Sequence, residues 1–569
     1  MTEMSYLLSR LALAAILSLG VPIAVHAQEL PYDDVADEDG SASATAPGSK
    51  TAHAPRVAIT PYIEASQVLL AQLSPNSDAV TYSVLAGGVD ANIAGRNNQG
   101  AVSVRYERRF GWGHNNVDSD MLSGLARFQT AIVPHALNFE VGALAARTAI
   151  QNNGSTASGI DFGDSVTQIY SAYAGPTLAT RSGDLFVNGH YYFGYTKVDT
   201  PHALALAPGQ NPVDVFDSST VHNAEFHVGT KAGEPLPVGV GAGVGYNREE
   251  VSNLDQRVED FHARGDVAVP VSNTVQLVGG VGWEKVKVSS RDALRDAITG
   301  LPVIGPNGRY VTDNSSPRLI AFESEGLIWD AGVMWRPSRR TSLEAHIARR
   351  YGWTSYYGNL AYAPDARTSV NVSVYDSLGS MGGMLNHALA SLPTQFDAVR
   401  NPLTGDIGGC VAGQGALQPG QSTCLVGALG AVRSSVFRGR GVMANIGFKG
   451  GRFTYGLAAG YDRRRFIAPP GSVLGITNLT IDENWWVAAF VSSRIDSKST
   501  VGANLWANWY QSGDALAGNS SGVGATASYN RSISSRLSAT AAVGVAGVSR
   551  EAVEDLWTAR ALAGVRYSF

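Results

Sequence analysis

The sequence predicts an all-β fold, a transmembrane antiparallel up-and-down β-barrel of about 22 strands, on three observations. Apolar and polar residues alternate with period two from Val57 to the last residue. Beyond an N-terminal export signal, no apolar run is long enough for a helix to cross a bilayer. Short turns alternate with longer connections, as they do when one rim of a barrel faces the periplasm and the other the outside. A backbone inside a bilayer must satisfy its own hydrogen bonds, so a chain without spanning helices can cross only as a closed barrel.

The N-terminus supplies the export signal. Arg10 precedes the apolar run Leu11 to Ala24, and Val25-His26-Ala27 places small residues at the cleavage positions, so residues 1–27 read as a signal peptide and Gln28 as the mature start. Gly20 and Pro22 interrupt the run, which is shorter than the ~20 residues of a membrane anchor. No cysteine follows the cut, which argues against a lipoprotein. The next stretch, 28–56, is acidic and then rich in Ser, Ala, Thr and Pro; it reads as a disordered periplasmic leader ahead of a barrel over 57–569.

Composition agrees with strands that have one oily and one wet face. The 569 residues include 64 Gly, 22 Tyr and 10 Trp, with only 16% charged residues, and the mean hydropathy is −0.03. The 43 basic residues are scattered among 48 acidic ones for a net charge of −5, which excludes the basic stripe of a nucleic-acid binder.

The alternation is clearest in the last strand. Trp557, Ala559, Ala561, Ala563, Val565, Tyr567 and Phe569 share one face, and Thr558, Arg560, Leu562, Gly564, Arg566 and Ser568 the other. From Leu185 to Lys197, Val187, Tyr191, Phe193 and Tyr195 alternate with Asn188, His190, Tyr192 and Thr196. A soluble sandwich also alternates, so the aromatics and turns decide. Trp112, Tyr195, Trp283, Trp329, Trp335, Trp485, Trp486, Trp509 and Trp557 are expected near strand ends as interfacial girdles. Short turns are expected at 96–99, 133–135, 181–184, 271–273, 338–340 and 533–535. An even strand number follows only if the stretch Thr341 to Ala363 is split at Trp353 to Tyr356 into two strands.

That region carries a resemblance. The run PSRRTSLEAHIARRYGWTSYYGNLAYAPDARTSVNVSVYD, Pro337 to Asp376, resembles the strand-turn-strand repeat of exopolysaccharide-associated β-barrel porins, and the whole mature chain is similar to large outer-membrane barrel proteins of alphaproteobacteria. The resemblance implies architecture more than activity. The last strand, with Phe569 at its end, Tyr567 two before it and Gly564 further back, resembles the sorting signal read by the barrel-assembly machinery. Outer-membrane lipids, that machinery, and small solutes or polysaccharide are the partners this implies.

Charged residues at expected inward positions are the candidate lining of a permeation path: Arg105, Glu107 and Arg109; Glu225, His227 and Lys231; Asp260, His262, Arg264 and Asp266; Glu344, His346 and Arg350. The plainer reading is a wall of mutually satisfied ion pairs. His262 near Asp260 and His346 near Glu344 are i, i+2 pairs that any polar strand face produces, and no catalytic constellation accompanies them, so an enzyme is not expected. Gly239, Gly241, Gly243 and Gly245 recur at every second residue with no helix following; they are expected to make room in the lumen or let the strand bend rather than to cradle phosphate.

Cys410 and Cys424 are the only cysteines, and in an oxidising compartment they read as one disulfide closing a small Gly-rich loop. No metal-ligating side chains cluster beside them, and no cofactor is expected. They lie within 377–433, the longest connection, which is expected to fold into the barrel mouth and narrow the pore. Met384, Leu385, Leu389 and Leu392 fall at helical spacing there and Pro393 ends the piece. The expected function is a porin-like channel, or the outer-membrane conduit of an export system; the alternative is a structural or surface-binding barrel with no open pore. A TonB-dependent receptor would need a folded plug of more than about a hundred residues ahead of the barrel, where only Gln28 to Arg56 is expected.

Overall fold

The computed structural model describes residues 56–112, 119–151, 153–157, 166–200, 214–233, 235–365, 367–413, 425–514, 517–551 and 553–569. The expected signal peptide, nearly all of the expected leader and the expected pairing of Cys410 with Cys424 lie outside the described residues and side chains.

Twenty-two strands form the wall. The first eight are β1 (Arg56–Ser74), β2 (Asp78–Ala94), β3 (Asn98–Trp112), β4 (Ser119–Val133), β5 (Leu137–Ile150), β6 (Val166–Ser182), β7 (Leu185–Asp199) and β8 (Ser218–Thr230). Next come β9 (Gly239–Val251), β10 (Gln256–Pro270), β11 (Val275–Ser290), β12 (Leu319–Ser338), β13 (Thr341–Arg350), β14 (Trp353–Tyr362) and β15 (Thr368–Gly379). The rest are β16 (Phe437–Lys449), β17 (Phe453–Phe466), β18 (Ile481–Arg494), β19 (Ser499–Gln511), β20 (Ser520–Ser532), β21 (Leu537–Arg550) and β22 (Val553–Ser568). Each pairs antiparallel with its chain neighbours, and β22 pairs back onto β1 in the register Tyr62↔Ser568 to Gln72↔Thr558, so the wall has no free edge. The backbone N–H of Phe569 extends the seam by donating to the Pro61 carbonyl at 3.0 Å.

All six short turns read from the sequence lie at the rim that carries the two ends of the wall. In two of them a residue leaves the ordinary backbone regions, His135 (φ 63°) and Gly183 (φ 61°). The split of the Thr341–Ala363 stretch is correct, but the turn is Tyr351-Gly352, two residues before the expected place. Both residues have positive φ (55° and 74°), the two-residue hairpin geometry that glycine favours at its second position. Tyr351 tolerates it with its N–H donating to Glu284 Oε1 at 2.6 Å.

The outward face carries Leu85, Tyr106, Trp112, Phe193, Val244, Leu327, Leu457 and Leu505, all exposed. Three girdle positions need correction. Trp486 faces inward, 2% exposed, and its indole N–H donates to Asp462 at 3.1 Å, while Trp485 beside it faces out. Trp283 and Trp329 sit mid-strand, because β11 and β12 are 16 and 20 residues long where ~9–11 cross the hydrocarbon.

A wall of 22 strands encloses more space than its own side chains can fill. Here the connection between β15 and β16 turns inward and fills part of it. Helix α1 (Met381–Ala390), a hairpin of Phe396–Arg400 with Ile407–Gly413, and helix α2 (Val426–Leu429) form this plug. Its helix lies where the apolar spacing placed it, and Leu385, Leu389 and Leu392 are wholly buried.

Candidate functional site

The lumen has two unlike sides. On the first, the plug packs against Leu125, Leu144, Ile169, Tyr173 and Val198 of β4 to β7, with Met381, Leu385, Leu389, Phe396 and Ile407 filling the core between them. The interior is therefore apolar here. The inward residues of β4 to β7 follow the alternation, but their partner is protein instead of water.

Buried charges seat the plug. The Glu249 carboxylate on β9 accepts hydrogen bonds from the N–H groups of Ser380 (2.8 Å) and Gly383 (2.7 Å), and from the Ser380 hydroxyl, at the start of α1. Arg127 on β4 donates to the carbonyls of Ala390 and Leu392 at its end, and to Glu140 at 2.9 Å. An acid at the N-terminus and a base at the C-terminus complement the helix dipole from opposite ends. Arg400 of the hairpin donates to Ser123 Oγ (2.8 Å) and the Ser103 carbonyl (3.0 Å), and Arg147 pairs with Asp406 at 2.7 Å. Arg464 donates to the carbonyls of Gly427 (2.8 Å) and Ala431 (3.1 Å), holding α2.

Arg105, Glu107 and Arg109 lie beneath this plug. Arg105 joins Glu107 at 2.6 Å and Glu64 at 3.0 Å, and Arg109 joins Glu107 at 2.9 Å, all three residues buried. They form the satisfied ion-pair wall of the plainer reading. Glu249, Arg127, Arg147, Arg400 and Asp406 were not singled out in the sequence. Arg127 and Glu249 stand at inward positions of the alternation and were legible there; Arg400 and Asp406 belong to a connection with no periodicity to read.

The second side is the wall from β8 to β13, which carries the other candidates. His227 Nε2 meets Asp266 at 2.8 Å, and Arg264 meets Asp330 at 3.1 Å. His346 lies between Asp330 (3.2 Å) and Glu344 (3.1 Å), its ring stacked on Tyr357 at 4.9 Å. Arg350 donates to Glu284 at 2.8 Å and Asp260 at 3.0 Å, with His262 at 3.4 Å. Glu225 stands half-buried on β8, and Lys231 lies just past it in the turn. Unlike the set under the plug, several keep water: the side chains of His227 and Asp266 are each 25% exposed and Glu344 21%.

The glycines explain how these side chains lie. A Cβ at Gly241 or Gly243 would strike the His227 ring, one at Gly245 the His262 ring, one at Gly280 Arg264 and Asp330, and one at Gly332 His346. The charged side chains therefore fold flat over glycines of the neighbouring strand instead of standing into the lumen. Gly241, Gly243 and Gly245 of β9 make room in this way, whereas Gly239 faces the backbone of Thr230 and Ala232. Among the described residues no group of His, Cys, Asp and Glu is arranged to hold a metal ion.

At the loop rim, Asp214 ties the end of the plug connection to the short segment that enters β8. Its carboxylate accepts from Ser434 Oγ at 2.6 Å and Asn253 Nδ2 at 3.1 Å, and its carbonyl accepts from the Ser434 N–H at 3.0 Å. Burial of the carboxyl outweighs these hydrogen bonds and pushes its pKa up to about 6. A pKa raised on folding means the folded state holds the proton more tightly. The associated stability is complete below about pH 4 and is lost as pH rises through about 6. Amide exchange at 434–436, corrected for its intrinsic pH dependence, should accelerate between pH 5 and pH 7.5, and Asp214→Asn should remove that dependence. Equal pH profiles in the two proteins would show that Asp214 does not control this segment.

No protein-family model matches the sequence, and no curated protein sequence matches it. Among solved structures, the FrpB iron transporter from Neisseria meningitidis (F5-1 variant) is 11% identical, with 90% of this chain and 82% of that chain covered and a TM-score of 0.41. The closed form of the ferric-catecholate import receptor Fiu from E. coli K12 is 11% identical over 89% of this chain and 81% of that one, with a TM-score of 0.44. The copper transporter OprC is 10% identical over 90% and 81%, with a TM-score of 0.33.

Proposed function

We propose that the protein is a barrel of the Gram-negative outer membrane that passes small hydrophilic solutes through a lumen narrowed by its own internal plug. The observation that carries this reading is the β8 to β13 wall. Inside a closed cylinder with an apolar outer face, His227, Asp266 and Glu344 of this wall keep contact with water, while Glu249 on β9 is the buried charge that it gives to the plug. Hydrated charge facing a lumen is costly to keep there unless something polar occupies the space, and a channel is the arrangement that uses it. Service as the outer-membrane conduit of an export system is a narrower version of the same reading. A barrel without an open pore is the rival, supported by an apolar layer at the loop rim (Val258, Val286, Val436 and Ile467), where side chains are almost fully buried.

Purified protein in proteoliposomes should admit small sugars and ions faster than protein-free vesicles, and surface labelling of intact cells should reach the loop rim. Vesicles that stay impermeable under every condition, including acid and applied voltage, would establish the sealed-barrel reading instead.

A further inference from the structure

We propose that the permeation route runs between the plug and the β8 to β13 wall, and that it is shut at the loop rim by one apolar layer rather than by the plug itself. This rests on the transport reading above.

The plug is poorly placed to be the moving part. Its helix is clamped at both ends by wall charges, and its core is continuous with the barrel wall on the β4 to β7 side. Leaving the lumen would expose that whole apolar face and break several charge-assisted hydrogen bonds at once. On the other side the lining changes along the barrel axis. From the rim with the chain ends up to mid-barrel, the wall carries partly hydrated side chains such as Asp266, His227 and Glu344. Above them comes a layer in which Arg350 joins Glu284 and Asp260. Above that, Val258, Val286 and Val288 from the wall and Leu378 from β15 close around Val436 and Ile467, with exposures from 0 to 8%.

Val436 and Ile467 lie one residue beyond the strands of the wall. They sit on the segments entering β16 and leaving β17, joined by the Ile467 N–H donating to the Val436 carbonyl at 2.9 Å. One side chain fastens them to β10: Gln256, itself 2% exposed, accepts from the Val436 N–H at 3.1 Å and donates to the Ser434 carbonyl at 3.0 Å. A narrow apolar constriction above a wet, charged vestibule excludes water and ions when closed, and conducts when its side chains separate. The lining below it suits small hydrated solutes, because its charges are mostly paired and spread flat over glycines, leaving no single deep charged pocket.

The test is conductance of the full chain in planar bilayers, with the double variant Val436→Ser/Ile467→Ser and, separately, Gln256→Ala. Heat-modifiable mobility certifies assembly of each. Losing the burial of two aliphatic side chains should raise the open population roughly tenfold, and Gln256→Ala should raise it by a smaller factor without touching the layer. A third protein, with residues 382–429 replaced by a short Gly/Ser linker, serves as reference. If it conducts while assembled Val436→Ser/Ile467→Ser and Gln256→Ala behave as the parent, the gate is wrongly placed and transport stands. Should none of the three conduct, the transport reading fails and takes the gate with it. If the double variant does not assemble, Gln256→Ala alone decides: a raised open population supports the gate, and an unchanged one overturns it.

Discussion

Replacing residues 382–429 with a short Gly/Ser linker should turn a nearly closed barrel into a wide, steadily conducting pore. The plug fills the lumen against β4 to β7, where Leu125, Leu144, Ile169 and Tyr173 meet its apolar face. Those side chains cannot replace it by collapsing inward, since a 22-stranded wall holds its inner faces too far apart to touch. Water would take the vacated space. Glu249, Arg127 and Arg147 would lose plug partners but gain hydration, so the cost falls on the exposed apolar face and not on stranded charges. The wall itself should survive, because its hydrogen bonds run strand to strand around a closed ring and owe nothing to the plug. Expected readouts are a large rise in single-channel conductance and greater sensitivity to bulky antibiotics, with heat-modifiable mobility retained. Unchanged conductance in assembled protein would mean that the constriction lies elsewhere or that there is no open pore.

Removing Phe569, or replacing it with Asp, should nearly abolish assembled protein. Closure joins the last strand to the first, and every residue pair from Tyr62↔Ser568 to Gln72↔Thr558 depends on that strand being seated. At its end the Phe569 ring is 64% exposed on the outer face, packed edge-on against Tyr567 at 5.2 Å, and its backbone N–H reaches Pro61. Aspartate there would put a carboxylate at the lipid-facing rim of the seam, and deletion would take away one hydrogen bond and the aromatic end together. Gly564 serves the same seam from inside: a Cβ there would come within 2.6 Å of Ser66 Cβ on β1, so Gly564→Val is expected to impair closure with the aromatic end intact. The predicted phenotype for Phe569 is periplasmic degradation. Normal amounts of surface-exposed, heat-modifiable mutant would refute the assignment.

The wall was legible in the sequence because its causes are local. Side chains alternate across a strand, so Tyr191, Phe193 and Tyr195 opposite His190, Tyr192 and Thr196 reveal two environments without any knowledge of neighbours. Strand number followed from turn phase, and the Tyr351-Gly352 turn moved a boundary by two residues without changing the count. The α1 helix was legible for the same reason, from the spacing of Met384, Leu385, Leu389 and Leu392.

What alternation cannot say is what fills the space a strand faces. Arg109 and His227 both stand at inward positions, yet one is buried beneath the plug and the other remains a quarter exposed. Trp485 and Trp486 are adjacent aromatics, and only the pleat's phase in the assembled wall sends one outward and the other to Asp462. The plug's seat is set by Glu249, Arg127, Arg147, Arg464 and their distant partners, pairs separated by up to 265 residues in the chain. By itself the sequence determined a closed antiparallel wall, its phase and its inner and outer faces, because each rests on periodicity within a strand or turn. Only the tertiary structure decided which half of the lumen is core and which is wet, because that depends on where a long connection folds back, and no local pattern records that contact.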